Sequence, residues 1–277
     1  MMIKDILVSV PVGATSNVAV NYAISMATAF DAHLAGVAFA YEPVVPGTVF
    51  DGVAANIIET YRAESEKAGR AAIAGFEEAV RRAGLPAESH LLESATVGCG
   101  ELFAQIARHF DISVVLQTEP ESDAPEELLP EAALFGSGRP VLMVPYIQKA
   151  GVKLDRVLVC WDGSRAAARA IGDAMPFLMR AKSIDVLSVS KNEGPRDEMP
   201  GADIAQHLAR HKLKVDYKRI VAKDIDVASA ILSHAADSGA DMAVMGGYGH
   251  SRLREFVLGG ATRGMLEAMT IPVLMSH

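Results

Sequence analysis

Cysteine is scarce in this chain. Cys99 and Cys160 are all that its 277 residues contain, too few for a disulfide framework and at no spacing that makes a zinc site. Long apolar runs are missing too. Half of the residues are hydrophobic and 22% are charged, yet no uninterrupted stretch approaches the ~18 residues that would cross a bilayer. A membrane span is therefore not expected. Basic residues are not in excess: the net charge of −8 argues against nucleic acid as a partner. The first residues, MMIKDILVSVPVG, lack a basic region followed by an apolar stretch and a small-residue cleavage site, so they read as a strand, and the cytoplasm is the expected location. No lysine-bearing P-loop occurs, which excludes that kind of NTPase. His207 and His211 lie four apart on a predicted helix, but no H-E-x-x-H set completes them, and a solvated helix face is the plainer reading. No Ser-His-Asp or Cys-His set can be assembled. Cys99, between Gly98 and Gly100, remains a candidate reactive thiol at a helix start.

What is present is a repeated alternation of strands and helices. Apolar strand patterns fall at residues 5–10, 34–40, 89–92, 112–117 and 141–144, with helical patterns between them at about 17–30, 57–83, 100–109 and 126–135. The order recurs from Val157 onward, with strands at 157–161, 184–189, 215–221, 242–245 and 272–275. Two passages match between the halves: DISVVLQ against DMAVMGG, and RPVLMVP against IPVLMSH. The length also favours two domains, placed at 1–148 and 152–277. Their charges differ. The first 150 residues hold 9 basic against 19 acidic side chains, the remainder 17 against 15, so an anion settles more readily in the second half.

Alternating strands and helices imply two α/β domains, each a doubly wound, five-stranded parallel sheet of order 3-2-1-4-5. In such a sheet ligands bind beyond the carboxyl ends of the first and fourth strands, where the topology switches direction. In the second half those ends carry Asp162 and a loop containing Gly246, Gly247 and Gly249, with Gly259 and Gly260 closing the segment. Glycines there let backbone N–H groups approach an anion, so the loop reads as a phosphate cradle; tight turns are the bland alternative. Gly247-Tyr248-Gly249 follows the fourth strand instead of the first, which disfavours a dinucleotide oxidoreductase. His250, Ser251 and Arg252 could add donors, with Ser251 the preferred side-chain contact, while Arg252 and Arg254 could act only by making the potential positive. Asp162 and Ser164 are equally suited to cap the helix that follows them.

The spacing Gly246-x-x-Gly249, nine residues, then Gly259, together with WDGS at 161–164 and the terminal IPVL strand, resembles the universal stress protein family. The whole chain resembles two such domains in tandem, with an adenine nucleotide alpha hydrolase-like fold. The resemblance implies that Asp162 and either Val189 or Ser188 hold an adenosine, and that Gly246, Gly249 and Gly259 hold the phosphates of ATP, with or without Mg²⁺. Gly260 stands where the family has Ser or Thr, so a hydroxyl contact is lost or moves to Thr262. The implied role is a stress-linked nucleotide-binding regulator or sensor. No lysine spans the phosphates and no general base is evident near the loop, so hydrolysis would be slow at most.

The first half departs from this pattern. Pro11 stands in place of Asp162, and TEPESDAPEELLPE, with Glu119, Glu121, Asp123, Glu126 and Glu127, replaces the glycine loop. Those carboxylates would repel a triphosphate. The expected role of this half is structural, as partner in an intramolecular pseudo-dimer; symmetric pairing of two chains is equally compatible. A competing reading is a nucleotide-free interaction module in which the segment 41–56 docks a protein.

Overall fold

A computed structural model describes residues 2–13, 17–42, 53–118, 125–191, 202–247 and 260–277. The chain divides into two compact units. One holds residues 3–116 and 121–139, the other residues 1–2, 117–120 and 140–277.

In the N-terminal unit, strands β1 (Asp5–Ser9), β2 (His33–Glu42), β3 (Ala87–Ala95) and β4 (Ile112–Leu116) form a parallel sheet of order β3-β2-β1-β4. Helices α1 (Val18–Phe30), α2 (Val53–Ala83), α3 (Cys99–Ala107) and α4 (Leu128–Gly136) connect or follow them. The central strand β1 is a run of Ile6, Leu7 and Val8, each wholly buried, as expected for a parallel strand covered on both faces. Gly36 makes room for a large neighbour: a Cβ there would stand 2.6 Å from the Phe76 ring of α2.

The C-terminal unit contains β5 (Val141–Val144), β6 (Arg156–Cys160), β7 (Ser183–Ser190), β8 (Val215–Val221), β9 (Met242–Gly246) and β10 (Val273–Ser276), with helices α5 (Arg165–Leu178), α6 (Ala202–Arg210), α7 (Val227–Ser238) and α8 (Gly260–Ala268). Its strands run in the order β8-β7-β6-β9-β10-β5. The first five, β8 to β10, are parallel and reproduce the order 3-2-1-4-5. β5 departs from the all-parallel expectation by pairing antiparallel with β10: Val141 faces Met275, Leu142 faces Leu274 and Met143 faces Val273. Because PVLMV and PVLMS are the matched passages, this pair is locally two-fold symmetric about Leu142 and Leu274. Alternation of apolar residues encodes burial and not strand direction, which is why the sequence pattern left this pairing unread.

Equivalent hydrogen bonds recur in the two halves. Asp111 Oδ2 accepts from the amides of Lys4 and Asp5, at 2.7 and 3.1 Å, and Asp241 Oδ2 accepts from those of Asp155 and Arg156, both at 2.9 Å. Each aspartate, the first letter of DISVVLQ or DMAVMGG, thus pins the start of the central strand of its own unit. Among the described residues no helix is long and apolar enough to cross a membrane.

Candidate functional site

The helix crossovers after β6 and β9 leave the C-terminal sheet in opposite directions, since β7 lies on one side of β6 and β10 on the far side of β9. Their carboxyl ends are therefore the switch point. Val159 is in register with Val244, which places Trp161 and Asp162 level with Gly246 and Gly247 on the neighbouring strand.

Asp162 is exposed, and its Oδ1 accepts from the Ser164 amide at 2.8 Å across a turn that Gly163 closes with φ of +79°. Asp162 Oδ2 has no donor among the described residues. Ser164 is the N-cap of α5: its Oγ accepts from the Ala167 amide at 3.1 Å, so that hydroxyl is committed to the helix. Of the two candidates near the end of β7, Ser188 is buried and donates its hydroxyl to the Trp161 carbonyl at 2.8 Å, whereas Val189 is half-buried. Burial first, and the Asp162 carboxylate second, push the Cys160 thiol up to about 12.

Gly246 serves packing. A Cβ there would stand 2.4 Å from the Ala167 nitrogen and 2.6 Å from the Ala166 carbonyl carbon, so only glycine lets the end of β9 abut the first turn of α5. Gly247 is buried; its amide donates to the Ser276 carbonyl at 2.9 Å and its carbonyl meets His277 Nδ1 at 3.1 Å. Gly260 begins α8 with open space where a Cβ would be, and Thr262 is buried in the first turn of that helix. Gly249, His250, Ser251 and Gly259, with Arg252 and Arg254, lie outside the described residues.

The corresponding positions of the first half of the chain carry different residues. The amide of Val10 donates to the Val37 carbonyl just as that of Trp161 donates to Leu187, both at 2.8 Å. That correspondence sets Pro11 at the place of Asp162, Ala38 at Ser188, Phe39 at Val189, and Leu116 and Gln117 at Gly246 and Gly247. Glu126 Oε1 is directed at the Val12 amide at 3.4 Å. Burial, then Glu126 and Cys99, hold the Tyr41 phenol above its usual range. Cys99 is no activated thiol: it is wholly buried, donates to the Thr96 carbonyl, and is raised above the usual thiol value by burial first and Glu126 second. Glu119, Glu121, Asp123 and residues 43–52 lie outside the described residues. His207 and His211 are exposed with their rings 5.0 Å apart, and among the described residues no three His, Cys, Asp or Glu side chains are grouped to hold a metal.

The sheet order defines a doubly wound α/β fold. Comparison with known proteins narrows this. Residues 153–277 match the Universal stress protein family. A universal stress protein of Synechocystis is 27% identical over 138 residues, a match that takes in 49% of this chain and 46% of that relative, so the chain spans about half the length of the curated relative it matches. A universal stress protein from Archaeoglobus fulgidus superposes with a TM-score of 0.71 at 15% identity, over 98% of this chain and 97% of its own. A putative universal stress protein from Pseudomonas aeruginosa does so at 0.60 and 16%, over 99% and 93%. The family match thus falls on the C-terminal half, and the fold seen in these structures extends over the whole chain.

Proposed function

We propose that the C-terminal unit binds an adenine nucleotide, with ATP the named candidate, and that the protein acts as a stress-linked regulator or sensor through that binding. The observation that carries this reading is the contrast between equivalent positions. At the switch point of the second half stand an exposed carboxylate and two successive glycines; at the matching positions of the first half stand Pro11, Leu116 and Gln117. Asp162 would accept from the ribose or base, Val189 would pack against the adenosine, and the glycine-rich segment beginning at Gly246 and Gly247 would face the phosphates. Gly249, His250, Ser251, Gly259 and Thr262 are the further candidates. Mg²⁺ would be held through the phosphates, as that ion commonly is. The sequence offers no lysine to span the phosphates and no evident general base near the loop, so the reading is binding, with hydrolysis slow at most.

Calorimetric titration of ATP into the purified protein tests this. One site per chain is expected, with weaker binding after Asp162→Ala and none after Gly249→Asp; equal heats for all three proteins, or none for any, would refute it. A second reading, a protein-docking module, is favoured by Ile57 and Tyr61, which α2 exposes by 51% and 59%. Native mass spectrometry separates the two, since protein that leaves its expression host carrying nucleotide speaks for the first.

A further inference from the structure

We propose that His277 is a positioning residue for Gly247, where the chain leaves β9 for the glycine-rich segment; the inference rests on the nucleotide reading above. Gly247 is held on both sides by consecutive residues at the end of β10. Its amide donates to the Ser276 carbonyl at 2.9 Å, and its carbonyl receives His277 Nδ1 at 3.1 Å. A carbonyl only accepts, so in this contact Nδ1 carries the proton. Glycine has the widest backbone freedom of any residue, and a glycine corner with one tether can turn in many directions. Two tethers fix it. Ser276 is itself anchored: it is 1% exposed, and its hydroxyl donates to Asp173 Oδ2 on α5 at 2.8 Å, with Arg169 Nε 3.6 Å from the same oxygen. The helix that follows Asp162 and Ser164 is thereby tied to the corner that opens the glycine segment.

The duplicated half supplies an internal comparison. Gln117, at the place of Gly247, donates its amide to the Val144 carbonyl at 2.8 Å, as Gly247 does to Ser276. The residue after Val144 is Pro145, which has no side-chain donor, and Val144 has no hydroxyl to anchor it. Gln117 is instead held a second time through its own side chain, whose Nε2 donates to the Leu266 and Glu267 carbonyls at 3.0 and 3.2 Å. Gly247 has no side chain with which to do this, so at the glycine corner the second hold falls to His277. His277 is also exposed, so truncating it opens no cavity.

The test is ATP titration of the wild type, His277→Ala and His277→Asn, with thermal unfolding of each. Asparagine carries an amide N–H at the reach of Nδ1. His277→Ala should weaken ATP binding about fivefold, the effect of one hydrogen bond, while the unfolding midpoint moves by less than about 2 °C. His277→Asn should recover affinity to within about twofold of the wild type. If the wild type and His277→Ala bind alike, this inference fails and the nucleotide reading stands. If alanine and asparagine weaken binding equally, the donor is not what matters and the inference again fails. A wild type that takes up no ATP overturns both.

Discussion

Asp185 is wholly buried in β7, and three cationic or potentially cationic side chains converge on it. Arg156 Nη1 lies 3.1 and 3.2 Å from its two oxygens, Lys218 Nζ 3.6 Å and His234 Nε2 3.7 Å from Oδ2. The partners are not equally buried: Arg156 and Lys218 are 35% and 47% exposed. Removing the carboxylate therefore leaves cations that water can reach, whereas removing Arg156 leaves a carboxylate that water cannot. Asp185→Asn keeps the shape and loses charge-assisted hydrogen bonds, at a cost of about 2 kcal/mol. Arg156→Met strands a buried charge whose remaining partners stand beyond hydrogen-bonding distance, at a cost of about 3–5 kcal/mol. The double variant Asp185→Leu with Arg156→Met removes the charge together with its need for a partner and should cost less than Arg156→Met alone. Urea unfolding followed by tryptophan fluorescence measures this directly, because the sole tryptophan, Trp161, lies in the C-terminal unit. If Asp185→Asn proves costlier than Arg156→Met, or if the double variant loses the sum of both, the reasoning is wrong.

Two further outcomes are expected. Gly246→Ala should destabilise the C-terminal unit by about 1–3 kcal/mol, since its Cβ meets the backbone of α5, whereas Gly260→Ser, in open space at the start of α8, should leave the fold unchanged and strengthen ATP binding by restoring a hydroxyl; urea midpoints and calorimetry check the pair. Asp226 caps α7 by accepting from the amide and hydroxyl of Ser229, which depress its carboxyl below the usual value. A depressed carboxyl contributes stability that is complete above its unfolded value and is lost as pH falls through the lower folded one. Wild-type urea midpoints should therefore drop more steeply below about pH 4 than those of Asp226→Asn, and parallel curves would contradict the assignment.

Much of the fold was legible in the sequence because strand alternation, helix punctuation and the two matched passages all point the same way. The strands appeared in the expected order, and Asp162, Gly246 and Gly247 fell at the switch point that this order defines. Other features needed coordinates. Gly246 reads in the sequence only as part of a phosphate cradle, and its second task, letting the first turn of α5 abut β9, needs the coordinates. Ser188 and Val189 are equal candidates on paper, and only the hydroxyl donated to Trp161 separates them. Strand direction is invisible to hydropathy, so the antiparallel pairing of β5 with β10 could not be read. His277 carries no signal at all, being a lone histidine whose partner is a backbone carbonyl.

The most direct measurement is a crystal structure grown with ATP and Mg²⁺. Nucleotide is expected in the C-terminal unit alone, its adenosine beside Asp162 and Val189 and its phosphates over the glycine segment that begins at Gly246. Nucleotide seated beside Pro11 and Glu126, or a protein that excludes ATP from both units at saturating concentration, would contradict it.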